Sequence, residues 1–279
     1  MTTHTSFRLD GARILVTGAS RGIGKAVAVV FARAGADLAL SARSSAALKE
    51  TAALTEEEGR TVVLVPGDLA EPGAAESVVD KAADALGGLD GMVHNAGMLP
   101  SHPDGSPVLD PFQDSAQEDW NQVLSVNLNA TAALCRRAHR HLAASPRASV
   151  VLMSSTAGVI GTPRMEAYAA SKAAQISLVR SLAVGWAREG IRVNALCPGW
   201  TRTDMTAFAA STEPLSDWLM AHVPLGRWAE PDEVACAALY LACPAASYLT
   251  GQALVLDGGT SVPDSGLAGI PKPPSPFAA

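Results

Sequence analysis

The sequence predicts an α/β fold, a doubly wound parallel sheet of about seven strands with helices on both faces. Short, nearly continuous runs of Val, Ile and Leu recur along the chain, as is typical of strands covered on both faces. Longer segments with helical spacing of apolar residues separate these runs. A glycine cluster stands where the first run gives way to the first helical segment. The repeated strand–helix–strand order predicts that the strands are parallel.

The elements follow one another at intervals that suit this fold. After the first run, "RILVT", the segment "GIGKAVAVVFARAG" places Ile23, Val27, Val30 and Phe31 on one helical stripe. Gly35 is a plausible end for that helix. The predicted strands are residues 13–17, 37–41, 61–66, 91–94, 149–153, 191–196 and 253–257.

One domain is expected over residues 1–260, because neither a linker nor a second set of elements interrupts the pattern. Residues 261–279 carry five prolines and predict an extended tail that can lie across a neighbouring subunit.

Composition excludes several classes of function. The chain has 279 residues, is 48% hydrophobic and has a net charge of −6, which argues against nucleic acid or an anionic membrane as a partner. Its start lacks the apolar region of a signal peptide, and no apolar run reaches membrane-spanning length. A soluble cytoplasmic protein is therefore expected. Neither a metal site nor a disulfide framework is predicted from the scattered cysteines, which we interpret as buried thiols. They are Cys135, Cys197, Cys236 and Cys243.

The first strand-to-helix turn, "TGASRGIG" (17–24), predicts a nucleotide site. Glycines let backbone N–H groups approach an anion, and the following helix presents its positive N-terminal end to a phosphate. A glycine-rich loop that only turns the corner is the alternative, but the position after the first strand of a βαβ series favours binding.

The spacing GxxxGxG resembles that of the short-chain dehydrogenase/reductase family, and the resemblance extends over roughly residues 9–260. "HNAG" (94–97) stands where the family has NNAG, with His94 in place of the first Asn. "GDL" (67–69), "PGWTRTDM" (198–205) and "YLTGQALVLDGG" (248–259) match further family motifs in the same order. The resemblance implies a single-domain Rossmann fold, an oxidoreductase and a homodimer or homotetramer. Within the family, the chain is similar in a general way to 3-oxoacyl-carrier-protein reductases, and this similarity does not establish their substrate.

Residues for the cofactor follow from this resemblance. Asp68 is expected to contact the adenine, and Thr203 the nicotinamide carboxamide, whereas Thr201 stands where the family usually has Ile or Val. The implied cofactor-binding residues are Gly18, Ser20, Arg21, Gly22, Ile23, Gly24, Arg43, Asp68, Leu69, Asn95, Ala96, Gly97, Tyr168, Lys172, Pro198, Gly199, Thr201 and Thr203.

The second strand indicates which cofactor is preferred. An acidic residue at its end would hold the ribose hydroxyls of NAD, but the family alignment places Ala42 there. Arg43 follows, and Arg21 lies in the glycine loop, so two guanidinium groups are available for the 2′-phosphate of NADP. We predict NADP(H) rather than NAD(H); the alternative makes Arg43 an ordinary surface charge.

Tyr168 and Lys172 in "YAASK" are four residues apart and share one helix face. Ser155 ends the fifth predicted strand, at the edge where open parallel sheets bind ligands. The resemblance assigns these three as a catalytic triad, with Asn127 as the fourth member that anchors a proton-relaying water. A phenol with a pKa near 10 is a poor acid–base catalyst at neutral pH, and a nearby ammonium, helped by the positive nicotinamide of the oxidised cofactor, is expected to lower that pKa. Taken singly, the residues could instead be a packing tyrosine, a capping serine and a helix-end asparagine.

The predicted function is an NADP(H)-dependent oxidoreductase that interconverts a ketone and a secondary alcohol on a moderately apolar small molecule. The alternatives are an NAD-dependent alcohol dehydrogenase of the same family and a non-catalytic NADP-binding regulatory protein. Residues 98–115 are longer than in compact family members, and a substrate lid is expected at about 200–228. Its apolar side chains could line the pocket or only seal the lid onto the core; they are Trp200, Met205, Phe208, Trp218 and Met220.

Overall fold

The computed structural model describes residues 6–102, 106–263, 269 and 273–274. Its sheet has seven parallel strands in the order β3-β2-β1-β4-β5-β6-β7, which confirms the predicted fold class. The strands are β1 (Arg13–Thr17), β2 (Asp37–Ser41), β3 (Val62–Leu64), β4 (Gly91–His94), β5 (Ser149–Met153), β6 (Arg192–Pro198) and β7 (Ala253–Leu256).

Helices cover both faces of the sheet. A π-helical turn (Ser125–Asn129) joins α4 to α5. The helices are α1 (Gly22–Arg33), α2 (Ser45–Glu56), α3 (Ala74–Leu86), α4 (Gln117–Leu124), α5 (Ala130–Leu142), α6 (Glu166–Trp186), α7 (Ala207–Ala210), α8 (Glu213–Met220) and α9 (Pro231–Ala242).

Two hydrophobic layers result from the alternation of side chains along each strand. Ile14 and Val16 of β1 pack in the layer that α1 and α9 cover, whereas Leu15 packs in the layer under α3, α5 and α6. Phe31 of the predicted apolar stripe is fully buried in the first layer. The sheet is therefore held from both sides, and its carboxyl edge is left for the loops.

Strand lengths differ from prediction mainly at the sheet margin. β3 has only three residues because it is an edge strand that pairs with β2 alone. One of the four cysteines departs from the prediction: Cys236 of α9 is exposed, and the other three are buried.

Two predicted segments lie partly or mostly outside the described residues. Most of the proline-rich tail (261–279) belongs to the part of the chain that is not described, as do positions 103–105 of the long segment 98–115. Within the described part, no helix is both long and apolar enough to cross a bilayer.

Candidate functional site

The predicted site residues converge on the carboxyl edge of the sheet. Gly18 follows β1, Asn95 follows β4, Ser155 lies just beyond β5, and Pro198 ends β6. These four strands are neighbours in the sheet order. The loops that leave them therefore form one crevice, the position at which open parallel sheets bind ligands.

The glycine loop needs its glycines for steric reasons. Gly18 and Gly22 have positive φ angles of 65° and 53°. A Cβ on Gly24 would lie 2.1 Å from the Gly18 carbonyl oxygen. Helix α1 begins at Gly22, and Arg21 before it makes no side-chain cap. The first-turn N–H groups therefore face the loop, where they suit a phosphate.

Hydrogen bonds link this loop to the turn after β4. The Asn95 Nδ2 donates to the Gly18 carbonyl over 3.1 Å, and the Ala96 N–H donates to the Thr17 hydroxyl over 3.2 Å. A Cβ on Gly97 would lie 3.4 Å from the Lys172 Nζ. The turn after β4 therefore connects the glycine loop with the predicted catalytic residues.

The two arginines predicted for the 2′-phosphate differ in their surroundings. Arg43, just after β2, is exposed and has no ion pair with any described residue. The Arg21 Nε lies 3.3 Å from an Asp204 carboxylate oxygen, and both side chains are largely exposed. Asp68 is exposed after β3, where its carboxylate accepts the Ala70 N–H. Arg43 is thus the cation of this region without a carboxylate partner among the described residues.

The segment after β6 approaches the glycine loop from the other side. A Cβ on Gly199 would lie 2.8 Å from the Asp257 Cα, so a larger residue would displace backbone. A Cβ on Gly22 would meet the Thr203 Cγ2 at 3.2 Å, and Thr201 is buried. Thr203 is therefore in contact range of the turn predicted to hold the cofactor, whereas Thr201 lies inside the fold.

The structure brings Ser155 and Tyr168 together. The Ser155 Oγ accepts the Ala157 N–H over 3.1 Å, so this serine also caps a short 3-10 turn. Its side chain is hydrogen bonded to the Tyr168 side chain. The Lys172 Nζ lies 5.4 Å from the centre of the Tyr168 ring, one helical turn away on α6. The three predicted catalytic side chains therefore share one corner of the crevice.

Lys172 is buried but well provided with acceptors. Its Nζ donates to the Met153 carbonyl over 2.8 Å and to the Gln175 Oε1 over 3.3 Å. Burial lowers the pKa of Lys172 to about 8. Burial also raises the pKa of Tyr168, and its hydrogen bond with Ser155 only partly opposes that effect. The lowering of the tyrosine pKa by the ammonium and the positive nicotinamide of the oxidised cofactor stays a prediction for the enzyme with its cofactor bound.

Asn127 lies in the π-helical turn, where its side-chain amide is bound to the backbone of Met98. The Met98 N–H donates to its Oδ1 over 2.8 Å, and its Nδ2 donates to the Met98 carbonyl over 3.0 Å. Its own backbone carbonyl accepts the Gln175 Nε2 and the Thr131 Oγ1, each over 2.7 Å. Asn127 thus connects α6, the π turn and the loop after β4.

His94, which replaces an asparagine of the family motif, is fully buried beside this cluster. Its Nδ1 lies 2.8 Å from the Thr17 hydroxyl, which also accepts the Ala96 N–H. The Nε2 has no hydrogen-bond partner among the described residues. Burial, together with the charge of Lys172, lowers the pKa of His94 to about 3, so the imidazole is neutral.

The lid aromatics pack on one another. Trp200, Phe208 and Trp218 join the cluster around the buried Trp228, as does Met220, whereas Met205 remains exposed. The structure therefore favours the sealing alternative for these side chains. A separate cleft opens beside Tyr168, and the long segment 98–115 forms part of its wall. Its lining includes Leu99, Asp110, Phe112, Asp119, Trp120, Arg164 and Glu166.

Sequence reasoning missed two polar residues of the site, Gln175 and Thr131. Both are fully buried between α6 and the π turn. One signal was present, because "SKAAQ" places a glutamine three residues after Lys172 in an alanine-rich stretch and hence on the same helix face. The sequence around Thr131 carries no such signal, because the role of this residue depends on the π turn.

Comparisons with known proteins cover nearly the whole chain. A family model described as enoyl-(acyl carrier protein) reductase matches residues 18–261. Gluconate 5-dehydrogenase of Gluconobacter oxydans is 33% identical, over 92% of this chain and 97% of that protein. Galactitol 2-dehydrogenase (L-tagatose-forming) of Cereibacter sphaeroides is 37% identical, over 94% and 100%. The crystal structure of a gluconate 5-dehydrogenase from Burkholderia cenocepacia, in complex with NADP and tartrate, is similar with a TM-score of 0.85 and 31% identity, over 93% and 98%.

Proposed function

The chain belongs to the short-chain dehydrogenase/reductase family of oxidoreductases, and we propose that it interconverts a ketone and a secondary alcohol with NADP(H). One observation carries the proposal. Ser155, Tyr168 and Lys172 meet at the carboxyl edge of the sheet, in the same crevice as a glycine loop whose shape suits a phosphate. An acid–base group, a hydrogen-bond donor and a nucleotide cradle are what such a reaction needs.

Each side chain has a distinct role in this proposal. Tyr168 gives its hydroxyl proton to the substrate oxygen in reduction and takes it back in oxidation. Ser155 donates a hydrogen bond to the same oxygen, where negative charge develops. Lys172 supplies a positive charge one turn from the tyrosine, and hydrogen bonds of Asn127 with Ser171 and Gln175 hold the π turn against α6. NADPH, when bound, supplies the hydride.

The NADP preference rests on the second strand and the glycine loop. Arg43 has no carboxylate partner among the described residues, and Ala42 leaves the strand end without an acidic group. A relative of known structure carries NADP in its crystal. The residues that hold the cofactor are proposed to be those implied by the resemblance, with Arg43 and Arg21 on the 2′-phosphate. NAD(H) is the alternative cofactor.

A moderately apolar substrate remains the first proposal, because Leu99, Phe112 and Trp120 line the cleft beside Tyr168. A polyhydroxylated substrate is the second candidate. It is supported by Asp110 and Asp119 in the same wall, whose carboxylates can accept hydrogen bonds from hydroxyl groups. The relatives named for gluconate and galactitol point the same way.

The test is turnover followed by NADPH absorbance, with a panel of apolar ketones and keto-sugar derivatives and with NADH in parallel. Tyr168→Phe is expected to fold, to bind NADPH and to lose at least about 100-fold in kcat, the usual contribution of a general acid–base group. Tyr248→Phe is the matched control, because Tyr248 is fully exposed and outside the crevice.

Full activity of Tyr168→Phe would overturn the proposed mechanism. NADPH binding without turnover of any panel member would favour the regulatory alternative. Cytoplasmic location and assembly as a homodimer or homotetramer remain predictions, which cell fractionation and light scattering would test.

A further inference from the structure

We propose that Gln175 is a positioning residue for the reaction, because it holds the Lys172 ammonium in place and bonds directly to the Asn127 carbonyl. Its Oε1 accepts from the Lys172 Nζ over 3.3 Å. Its Nε2 donates to the Asn127 carbonyl over 2.7 Å and to the Thr131 hydroxyl over 3.0 Å. The side chain is fully buried, so its hydrogen bonds are not exchanged with bulk solvent.

Only one orientation of the Gln175 amide satisfies these partners. A flipped amide would turn its NH2 group toward the Lys172 ammonium, which offers only donors. It would also turn its oxygen toward the Asn127 carbonyl, which is only an acceptor. The structure therefore fixes an oxygen, not a nitrogen, against the lysine, and this oxygen stabilises the charged form.

The Asn127 backbone carbonyl accepts two side-chain hydrogen bonds, one from the Gln175 Nε2 and one from the Thr131 hydroxyl. The resemblance assigns to Asn127 a water that relays protons to solvent. Gln175 thus connects the Lys172 ammonium directly to the residue to which the resemblance assigns that water.

Three titratable groups of the described chain face the ammonium. Tyr168 lies on the same helix, Cys197 on β6 and His94 on β4. Burial raises the pKa of Cys197 and, with the charge of Lys172, lowers that of His94 to about 3, so both are neutral near pH 7. The Gln175 Oε1 and the Met153 carbonyl are therefore the recorded hydrogen-bond acceptors of this ammonium.

The test compares Gln175→Met with Thr131→Val. Methionine is similar in length but removes the acceptor, so the pKa of Lys172 is expected to fall further, by about one unit for a lost hydrogen bond to a charged group. The alkaline limb of the kcat/KM profile then moves by about one unit to lower pH. Thr131→Val removes a buried hydrogen bond of the same cluster without touching Lys172, and its limb should not move. Gln175→Glu, which adds a negative charge, should move the limb to higher pH.

A second readout needs neither cofactor nor turnover. Lys172 has a pKa of about 8 in the fold against its ordinary value of 10.5, so stability rises with pH across that window. The lost acceptor in Gln175→Met destabilises the charged form of Lys172 and not the neutral form. The Tm deficit of this variant should therefore be larger at pH 7 than at pH 10.5. The deficit of Thr131→Val should be the same at both values.

The inference rests on the proposed function for its kinetic readout only. Absence of any carbonyl turnover by the wild-type protein would refute the proposed function, whereas the Tm comparison would still test Gln175. Equal pH behaviour of Gln175→Met and Thr131→Val in the Tm comparison would show that Gln175 only packs, and would overturn the inference. An unmoved kinetic limb in an active enzyme would do the same.

Discussion

Replacing Arg43 by alanine tests the cofactor preference most directly. Arg43 is exposed and has no carboxylate partner among the described residues, so a bound phosphate would not have to displace one. Hydrogen bonds to charged groups contribute about 1.5–3 kcal/mol, and solvent screening favours the lower end at this exposed site. Since about 1.4 kcal/mol corresponds to a factor of ten, Arg43→Ala should raise the KM for NADPH about tenfold.

Arg21 allows a second test, in which the rise in the KM for NADPH is compared between two variants. Arg21 lies 3.3 Å from Asp204, so a phosphate would compete with a carboxylate for this guanidinium. Arg21→Ala should therefore raise the KM for NADPH by less than Arg43→Ala does. Arg33→Ala is the control, because Arg33 pairs with Glu58 at the far end of α1.

The assay is initial-rate kinetics with NADPH and NADH at constant ionic strength. Arg43→Ala should leave the KM for NADH unchanged, because NADH lacks the 2′-phosphate. An equal rise for both cofactors would show that Arg43 only supports the loop, and no rise for either would refute the assignment.

Two further predictions concern the loop and the fold. Gly24→Ala should lower NADPH affinity at least about tenfold in a fluorescence titration, because its Cβ would stand 2.1 Å from a backbone oxygen. Gly185→Ala is the control and should bind NADPH normally, because its Cβ would meet nothing within 4 Å. Asp90→Asn should lower the free energy of unfolding by at most about 2 kcal/mol at pH 7, because bonds from Arg13 and Ser145 outweigh burial and hold the pKa of Asp90 at about 2. This stability is present above pH 3.8 and is lost as the pH falls toward 2, so urea titrations at pH 7 and pH 2 should show the deficit only at pH 7.

Strand positions and the crevice were predictable because both depend on local sequence pattern. Apolar runs such as 13–17 and 149–153 coincide with β1 and β5, because strands covered on both faces are apolar at nearly every position. The glycine spacing predicted the loop, and the order of the motifs predicted the family, which the comparisons confirm.

Tertiary effects account for what the sequence left open. Burial of Tyr168 depends on segments that are distant in the chain, so its effect on the pKa of this phenol could not be predicted from the spacing to Lys172. The partner of Arg21 is Asp204, which folding brings across the crevice from far along the chain. The role of Gln175 could not be predicted, because it depends on the Asn127 carbonyl, which the π turn places opposite it.

The double engagement of Ser155 has a consequence for mutagenesis. Because its oxygen also accepts the N–H of Ala157, truncation to alanine would loosen the turn after β5 as well as remove a donor from the crevice. A low kcat of Ser155→Ala would then reflect both the loosened turn and the missing hydrogen-bond donor, and could not separate them. Threonine, which keeps both the acceptor and the proton, is the companion variant that separates the two.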